Sequence, residues 1–299
     1  MHTLFPWLHE PSFRSQYETL WTNPEGTSTD DPLFYCLLNL VLALGCQFST
    51  LFENTAHTGD TFFNRAKALL GFSMFDIENL QIVQALLLMG NYLHSSNRPN
   101  RCWNVVGLGI RVALGLGLHI ERNSGDLLDQ QARRRAWSGC VMMDRSSISN
   151  LSYCISNSRL SAMLLGRPVM IHDCDAYSVE LPADLDDHFI TPLSLISVDN
   201  SPSKTSFYIA SCKLYRILGD ILREFYSASD EYRSMAEETW LCKVSSMMRF
   251  DKRLKDWLES LPKYLNWEAD YEMPLSDDIV RQRNVLQAAV NVQRTNKGY

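Results

Sequence analysis

Residues 79–118, NLQIVQALLLMGNYLHSSNRPNRCWNVVGLGIRVALGLGL, carry the pattern that decides the fold. Asn79 is a side chain that caps a helix N-terminus. After it, Ile82, Ala85, Leu86 and Met89 recur at three- and four-residue steps, the period of one helix face. Pro99 then opens a second helix, because a proline at the first helical position gives up only an N–H that had no partner there. This helix is predicted to run to about Leu118. Gly107, Gly109, Gly115 and Gly117 fall inside it, each costing about 1 kcal/mol relative to alanine. Four such residues predict close approach of a neighbouring backbone, with Gly115 and Gly117 helping to end the helix before His119. A phosphate-binding glycine loop would have to follow a strand and open a helix, and these glycines do neither.

The same period recurs outward in both directions. Upstream, Phe34–Phe52 is apolar on nearly every face, as an internal helix would be. Pro32–Phe52 holds no charged residue and approaches membrane-spanning length, but Asn39, Gln47, Ser49 and Thr50 favour a buried core helix. Asp60 is predicted to cap a helix through Phe75, with Phe63, Ala66, Leu69 and Leu70 on one side. Downstream, helices are predicted over about Asp129–Arg145, Phe207–Tyr226, Met235–Leu261 and Asp277–Arg294, with Pro262 stopping the third. Alternating strand patterns are scarce. The fold class is therefore all-α, a multi-helix domain.

Two segments depart from this pattern. Residues 160–200 hold seven acids (Asp173, Asp175, Glu180, Asp184, Asp186, Asp187 and Asp199) and one base, Arg167, together with Pro168, Pro182 and Pro192. They read as an ordered but irregular acidic connector. Residues 146–158 hold six serines in thirteen positions, and 146–159 read as an insert.

Composition excludes several functions. The chain of 299 residues has 45% apolar and 11% aromatic residues, too many for a disordered chain. Its net charge of −6 argues against wrapping nucleic acid over most of its surface. The eight cysteines are never closer than the ten residues between Cys36 and Cys46, so no short turn can close on a zinc ion. They are predicted to be reduced core thiols. A signal peptide is not expected at the N-terminus.

Catalytic patterns are missing in the same way. His9-Glu10-Pro11 lacks the second histidine of a metalloprotease helix, because position 13 is Phe13. Asp30-Asp31, Asp186-Asp187 and Asp277-Asp278 have no third carboxylate in step and read as solvated acids or helix caps. Arg133-Arg134-Arg135 lies mid-helix, where successive residues point ~100° apart. Such a run reaches several partners but reads a DNA groove poorly, so ion pairs with nearby acids are expected of it. Asp144 lies seven residues after Trp137 on the same side of this helix, and Arg167 is expected to pair with Asp144 or to cap helix carbonyls.

Taken together, Arg134-Arg135-Ala136-Trp137, Asp144-Arg145, Ser161, Gly166-Arg167-Pro168 and Leu181-Pro182 resemble the central regulatory domain of fungal zinc-cluster (Zn2Cys6) transcription factors, closest to the xylanolytic-activator type. Supporting segments are Leu4-Phe5-Pro6-Trp7-Leu8-His9 with Pro11-Ser12-Phe13, Phe62-Phe63-Asn64-Arg65-Ala66, and Arg111-Val112-Ala113-Leu114-Gly115-Leu116-Gly117-Leu118-His119. The motifs are recognisable over residues 1–185 and weaker to about residue 294.

The resemblance implies a nuclear regulator of RNA polymerase II transcription in a fungus, not an enzyme, that senses an effector or partner. Residues 1–299 would be a single helical regulatory domain, incomplete at both ends. It implies no cofactor in this chain; zinc is expected only in a six-cysteine cluster preceding Met1, through which DNA would be bound. Implied partners are a small-molecule effector, transcriptional co-regulators and a second copy of the chain, with no membrane. In that family the Asp-Arg pair, the Ser and Gly-Arg-Pro lie within a few residues. Here Ser146–Arg159 intervenes, as a genuine loop or a translated intron. Helices 99–118 and 129–145 are expected to form the core, and Arg135, Asp144, Arg145 and Arg167 to hold its junction with the connector. The competing reading is an all-α enzyme or ligand-binding protein acting on an apolar small molecule.

Overall fold

The structure is a computed structural model. It describes residues 2–22, 31–48, 55–71, 78–122, 125–149, 169–172, 178–195, 203–226, 238–271 and 274–295. Among these the chain is all-α, with nine helices: α1 (Glu10–Thr22), α2 (Pro32–Phe48), α3 (Thr55–Leu69), α4 (Leu80–Ser95), α5 (Pro99–Gly115), α6 (Leu127–Ser149), α7 (Ser206–Tyr226), α8 (Glu238–Glu259) and α9 (Asp277–Thr295).

The helix ends follow from local chemistry. Asn79 Oδ1 accepts the N–H of Gln81 at 2.8 Å, and Pro99 occupies the first turn of α5. The C-terminus of α5 is closed by Gly117 at φ +66°, a left-handed conformation that costs glycine nothing. Leu118 N then donates to Ala113 O and Gly117 N to Leu114 O, both at 3.0 Å, which satisfies two orphan carbonyls. The helix thus stops at Gly115, short of the predicted Leu118. Of the other glycines, Gly107 and Gly109 meet side chains rather than a neighbouring backbone, and Gly115 meets nothing within 4 Å. A Cβ on Gly109 would lie 3.3 Å from Leu86 Cβ, and one on Gly107 3.2 Å from Met170 Sδ.

The helix at the centre of the molecule is α4, which is buried on every face from Ile82 to Leu93. It packs against α2, α5 and α6, while α3 lies on α2, α7 bridges α6 and α8, and α9 lies on α7. The expected order of burial is therefore reversed. Despite its all-round apolarity, α2 buries one side (Leu33, Leu37, Leu40 and Leu44) and leaves Leu42 41% exposed. No described helix is long and apolar enough to cross a membrane. The helices over 99–118 and 129–145 both enter the core as expected, and α4 lies at its centre. Each Leu or Ile fully buried there contributes about 1.5–3 kcal/mol. Truncating Leu88, 2% exposed, is expected to cost about 2–5 kcal/mol.

Two more boundaries move. α3 begins at Thr55 and ends at Leu69, so Asp60 lies mid-helix instead of capping it. The Asp60 carboxylate accepts Tyr92 Oη at 3.0 Å and Arg98 Nη2 at 3.1 Å, tying α3 to the turn between α4 and α5. α6 begins with Asp126 Oδ1 accepting Leu128 N at 2.9 Å and continues to Ser149, through the first four residues of the predicted insert. The rest of 146–159 lies outside the described residues. The described part of the acidic connector is irregular, with a 3-10 turn at Asp187–Phe189 and one bridge between Ile190 and Leu195.

Candidate regulatory site: a cavity and a buried junction

A cavity of about 290 Å³ opens between the N-terminal segment, α6, α7 and α9. Its walls are chiefly apolar: Leu4, Phe5, Leu214, Val285, Leu286 and Ala289 all line it. Each supporting helix presents an inward face at helical spacing. On α9 this face is Gln282, Leu286, Ala289 and Val290, all buried. Polar groups are few. Ser211 sits on the α7 wall, and Asp277, Arg281 and Asn284 line the side formed by the first turns of α9.

The N-terminal wall is held by polar side chains rising from buried helix positions. Gln282 Nε2 on α9 donates to Thr3 O at 2.7 Å. Gln84 Nε2 on α4 donates to Trp7 O at 2.7 Å. Trp7, 1% exposed, donates its indole N–H to Tyr208 Oη at 3.1 Å, and Tyr208 donates in turn to Arg135 O at 2.7 Å. The segment comes close to α6 because Gly139 has no side chain. A Cβ there would stand 2.5 Å from Trp7 Nε1.

Arg135 is 3% exposed and its Nη1 lies 2.5 Å from Asp187 Oδ1. A charge-assisted pair of this kind is stronger than a neutral hydrogen bond. Asp187 also meets the N-terminal segment and α1. Its Oδ2 accepts Glu10 N, the first orphan N–H of α1, at 2.7 Å and lies 3.1 Å from His2 Nε2, while its backbone carbonyl accepts His9 Nε2 at 3.1 Å. Burial pushes this carboxyl up, but the His2 hydrogen bond and the Arg135 guanidinium outweigh it and hold it well below the usual carboxylate range. The neighbouring acids serve α7 instead. Asp186 accepts Lys204 N at 2.7 Å and Asp184 accepts Ser206 Oγ at 2.7 Å. Asp184, Asp186 and Asp187 therefore hold the N-terminal ends of two helices.

The two other arginines of the run have different partners. Arg134 pairs with Glu121 at 3.0 Å and Glu180 at 2.8 Å, and Arg133 donates to Leu116 O at 2.9 Å, at the end of α5. Trp137 is 1% exposed and lies beside His119. Leu181 packs against the core, Pro182 is buried, and Ala183 N donates to Gln131 Oε1 at 2.8 Å.

Further along α6, Asp144 accepts Met170 N at 3.1 Å and Ile171 N at 3.0 Å, tying down the start of the connector. Burial pushes its carboxyl up to about 6, against the two backbone donors and the charge of Arg145. Arg145 reaches α7. It is fully buried, donates to Tyr215 O at 3.1 Å, and crosses α7 at Gly219, where a Cβ would stand 2.4 Å from its Cζ. Ser161, Gly166, Arg167 and Pro168 lie outside the described residues, and so does the expected Arg167–Asp144 pair.

Several residues of the site carry only a weak sequence signal. Gln84 and Gln282 are polar residues on otherwise apolar stripes, and Gly139 and Gly219 are lone helix-interior glycines. Ser211 carries no signal. Burial pushes Cys36 and Cys212 up to about 12, which leaves no reactive thiolate at those two positions at neutral pH, whereas Cys242 is exposed and so is not the core thiol expected. Among the described residues no group of three His, Cys, Asp or Glu could hold a metal ion.

Comparison with known proteins places this arrangement. The model of the fungal specific transcription factor domain matches residues 1–259. The nitrogen assimilation transcription factor nit-4 of Neurospora crassa is 31% identical over 87% of this chain and 24% of its own length. Activator of stress genes 1 of Saccharomyces cerevisiae is 27% identical over 90% of this chain and 27% of its own length. The transcriptional activator protein acu-15 of Neurospora crassa is 26% identical over 95% of this chain and 28% of its own length. The chain thus spans about a quarter of the length of these relatives. No solved structure matches it. The relatives are transcriptional regulators, which implies a nuclear role and dealings with DNA and co-regulators in general, and the enzyme reading finds no support among them. The chain belongs to the fungal specific transcription factor domain family, as a helical regulatory domain and not an enzyme.

Proposed function

We propose that this domain switches a nuclear zinc-cluster transcription factor between two states by binding a small effector in the cavity between α6, α7, α9 and the N-terminal segment. The carrying observation is that Leu4 and Phe5, which wall the cavity, belong to the segment that His2 fastens to Asp187 and that Trp7, through Tyr208, fastens to the Arg135 backbone carbonyl. A ligand shifts an equilibrium only through differential contacts with two states. Here those contacts would act on a segment that also reaches α1 and the connector. Zinc would be held by a separate cysteine cluster through which DNA is bound, and co-regulators or a second copy of the chain would read the state of the domain.

The test is a fusion of the full chain to a heterologous DNA-binding module driving a reporter in yeast. Output from the parent fusion is expected to shift with growth medium. Ala289→Phe, which fills the cavity, is expected to fix output at one level while leaving the melting temperature of the purified chain within a few degrees. Equal medium responses in parent and variant would refute the reading.

A further inference from the structure

The cavity's chemistry narrows its occupant, given the reading of it as a ligand site. We infer that it takes an uncharged, largely apolar molecule carrying one hydroxyl or carbonyl group, which hydrogen-bonds to Ser211 Oγ. Ser211 lines the cavity, is 5% exposed, and exchanges no side-chain hydrogen bond with any described residue. Its hydroxyl opens onto the cavity, where a ligand's polar group can take the place of water and keep the hydrogen bond. Of the other polar lining residues, Tyr215 and Arg281 are already engaged within the chain.

Charge argues the same way. Asp277 and Arg281 stand four residues apart on one helix, so the lining carries one acid and one base. A ligand carboxylate would gain one and face the other, and so would an ammonium. Neither would be repaid for leaving water among Leu214, Val285, Leu286 and Ala289. The volume of about 290 Å³ lies at the small end of small-molecule sites, the scale of a two-ring compound.

The experiment titrates the purified full chain with four molecules of matched shape: naphthalene, 2-naphthol, 2-naphthoate and 2-naphthylmethylammonium, followed by ligand-observed NMR. The naphthol is expected to bind tightest, about ten-fold ahead of either ion, a difference of about 1.4 kcal/mol. Ser211→Ala is expected to bring the naphthol down to the affinity of naphthalene while leaving naphthalene unchanged. Ala289→Phe is expected to abolish binding of both. A naphthoate or ammonium that binds as tightly as the naphthol, or a naphthol advantage that survives Ser211→Ala, overturns the assignment of ligand class and leaves the cavity as a ligand site. Absence of binding by all four, or binding untouched by Ala289→Phe, overturns the cavity reading and this inference with it.

Discussion

Asp187 and Asp144 are both buried carboxylates that join α6 to the acidic connector, and they do so in opposite electrostatic regimes. Asp187 faces a guanidinium at 2.5 Å, a histidine and a helix N-terminus, and its charge is strongly favoured. Asp144 has two backbone donors and the charge of the adjacent Arg145, but burial outweighs them and its charge is resisted. Burial alone therefore fixes no stability. What decides it is whether a full counter-charge points at the carboxylate. The Asp187 junction is the charge-paired one and carries the N-terminal wall of the cavity. The Asp144 junction holds only backbone.

The largest effect should come from breaking the charge-paired junction. Arg135→Ala strands a buried carboxylate and is expected to cost about 3–5 kcal/mol in chemical denaturation. Asp187→Asn should show a pH signature as well. Its folded pKa is depressed, so the stability Asp187 provides is complete above the ordinary carboxylate range and lost as pH falls through and below it. The gap between parent and Asp187→Asn should therefore narrow on acidification from pH 6 to pH 3, read from denaturation midpoints.

Asp144 should show the reverse sign. Its folded pKa is raised to about 6, so the folded state holds more protons than the unfolded state between roughly pH 4 and 6, and Asp144 subtracts stability as pH rises through that window. Relative to the parent, Asp144→Asn is expected to gain about 3 kcal/mol between pH 4 and pH 7.5, two pKa units at about 1.4 kcal/mol each. Parallel curves for the two variants would erase the distinction. Crowding Arg145 is a smaller perturbation: Gly219→Ala is expected to cost about 1–3 kcal/mol by overpacking. Gly139→Ala should cost about as much, and it alone should redshift Trp7 fluorescence, because its Cβ would displace that indole.

Legibility in the sequence tracked the range of the interaction. Asn79, Pro99 and Gly117 act within a few residues, and the helices they punctuate could be read directly. The relative burial of α2 and α4 could not, because both are apolar and only their neighbours decide which is central. Asp60 is a plausible cap by composition, yet its partners Tyr92 and Arg98 lie 32 and 38 residues away. The basic run was legible as a set of divergent partners, since helical geometry alone separates Arg133, Arg134 and Arg135. That Asp187 is the acid Arg135 meets depends on a 52-residue separation that periodicity does not encode. The cavity is a gap between four elements, so no single stretch of sequence announces it, and Ser211 matters only because that gap exists.

The central claim is that the cavity and the Asp187 junction share one structural element, the N-terminal segment. Hydrogen exchange of the purified chain with and without 2-naphthol tests this most directly. The account predicts slowed exchange at the amides of residues 4–10, including Glu10, whose N–H is held by Asp187, as well as along α7 and α9. Protection confined to α7 and α9, with residues 4–10 unchanged, would contradict it.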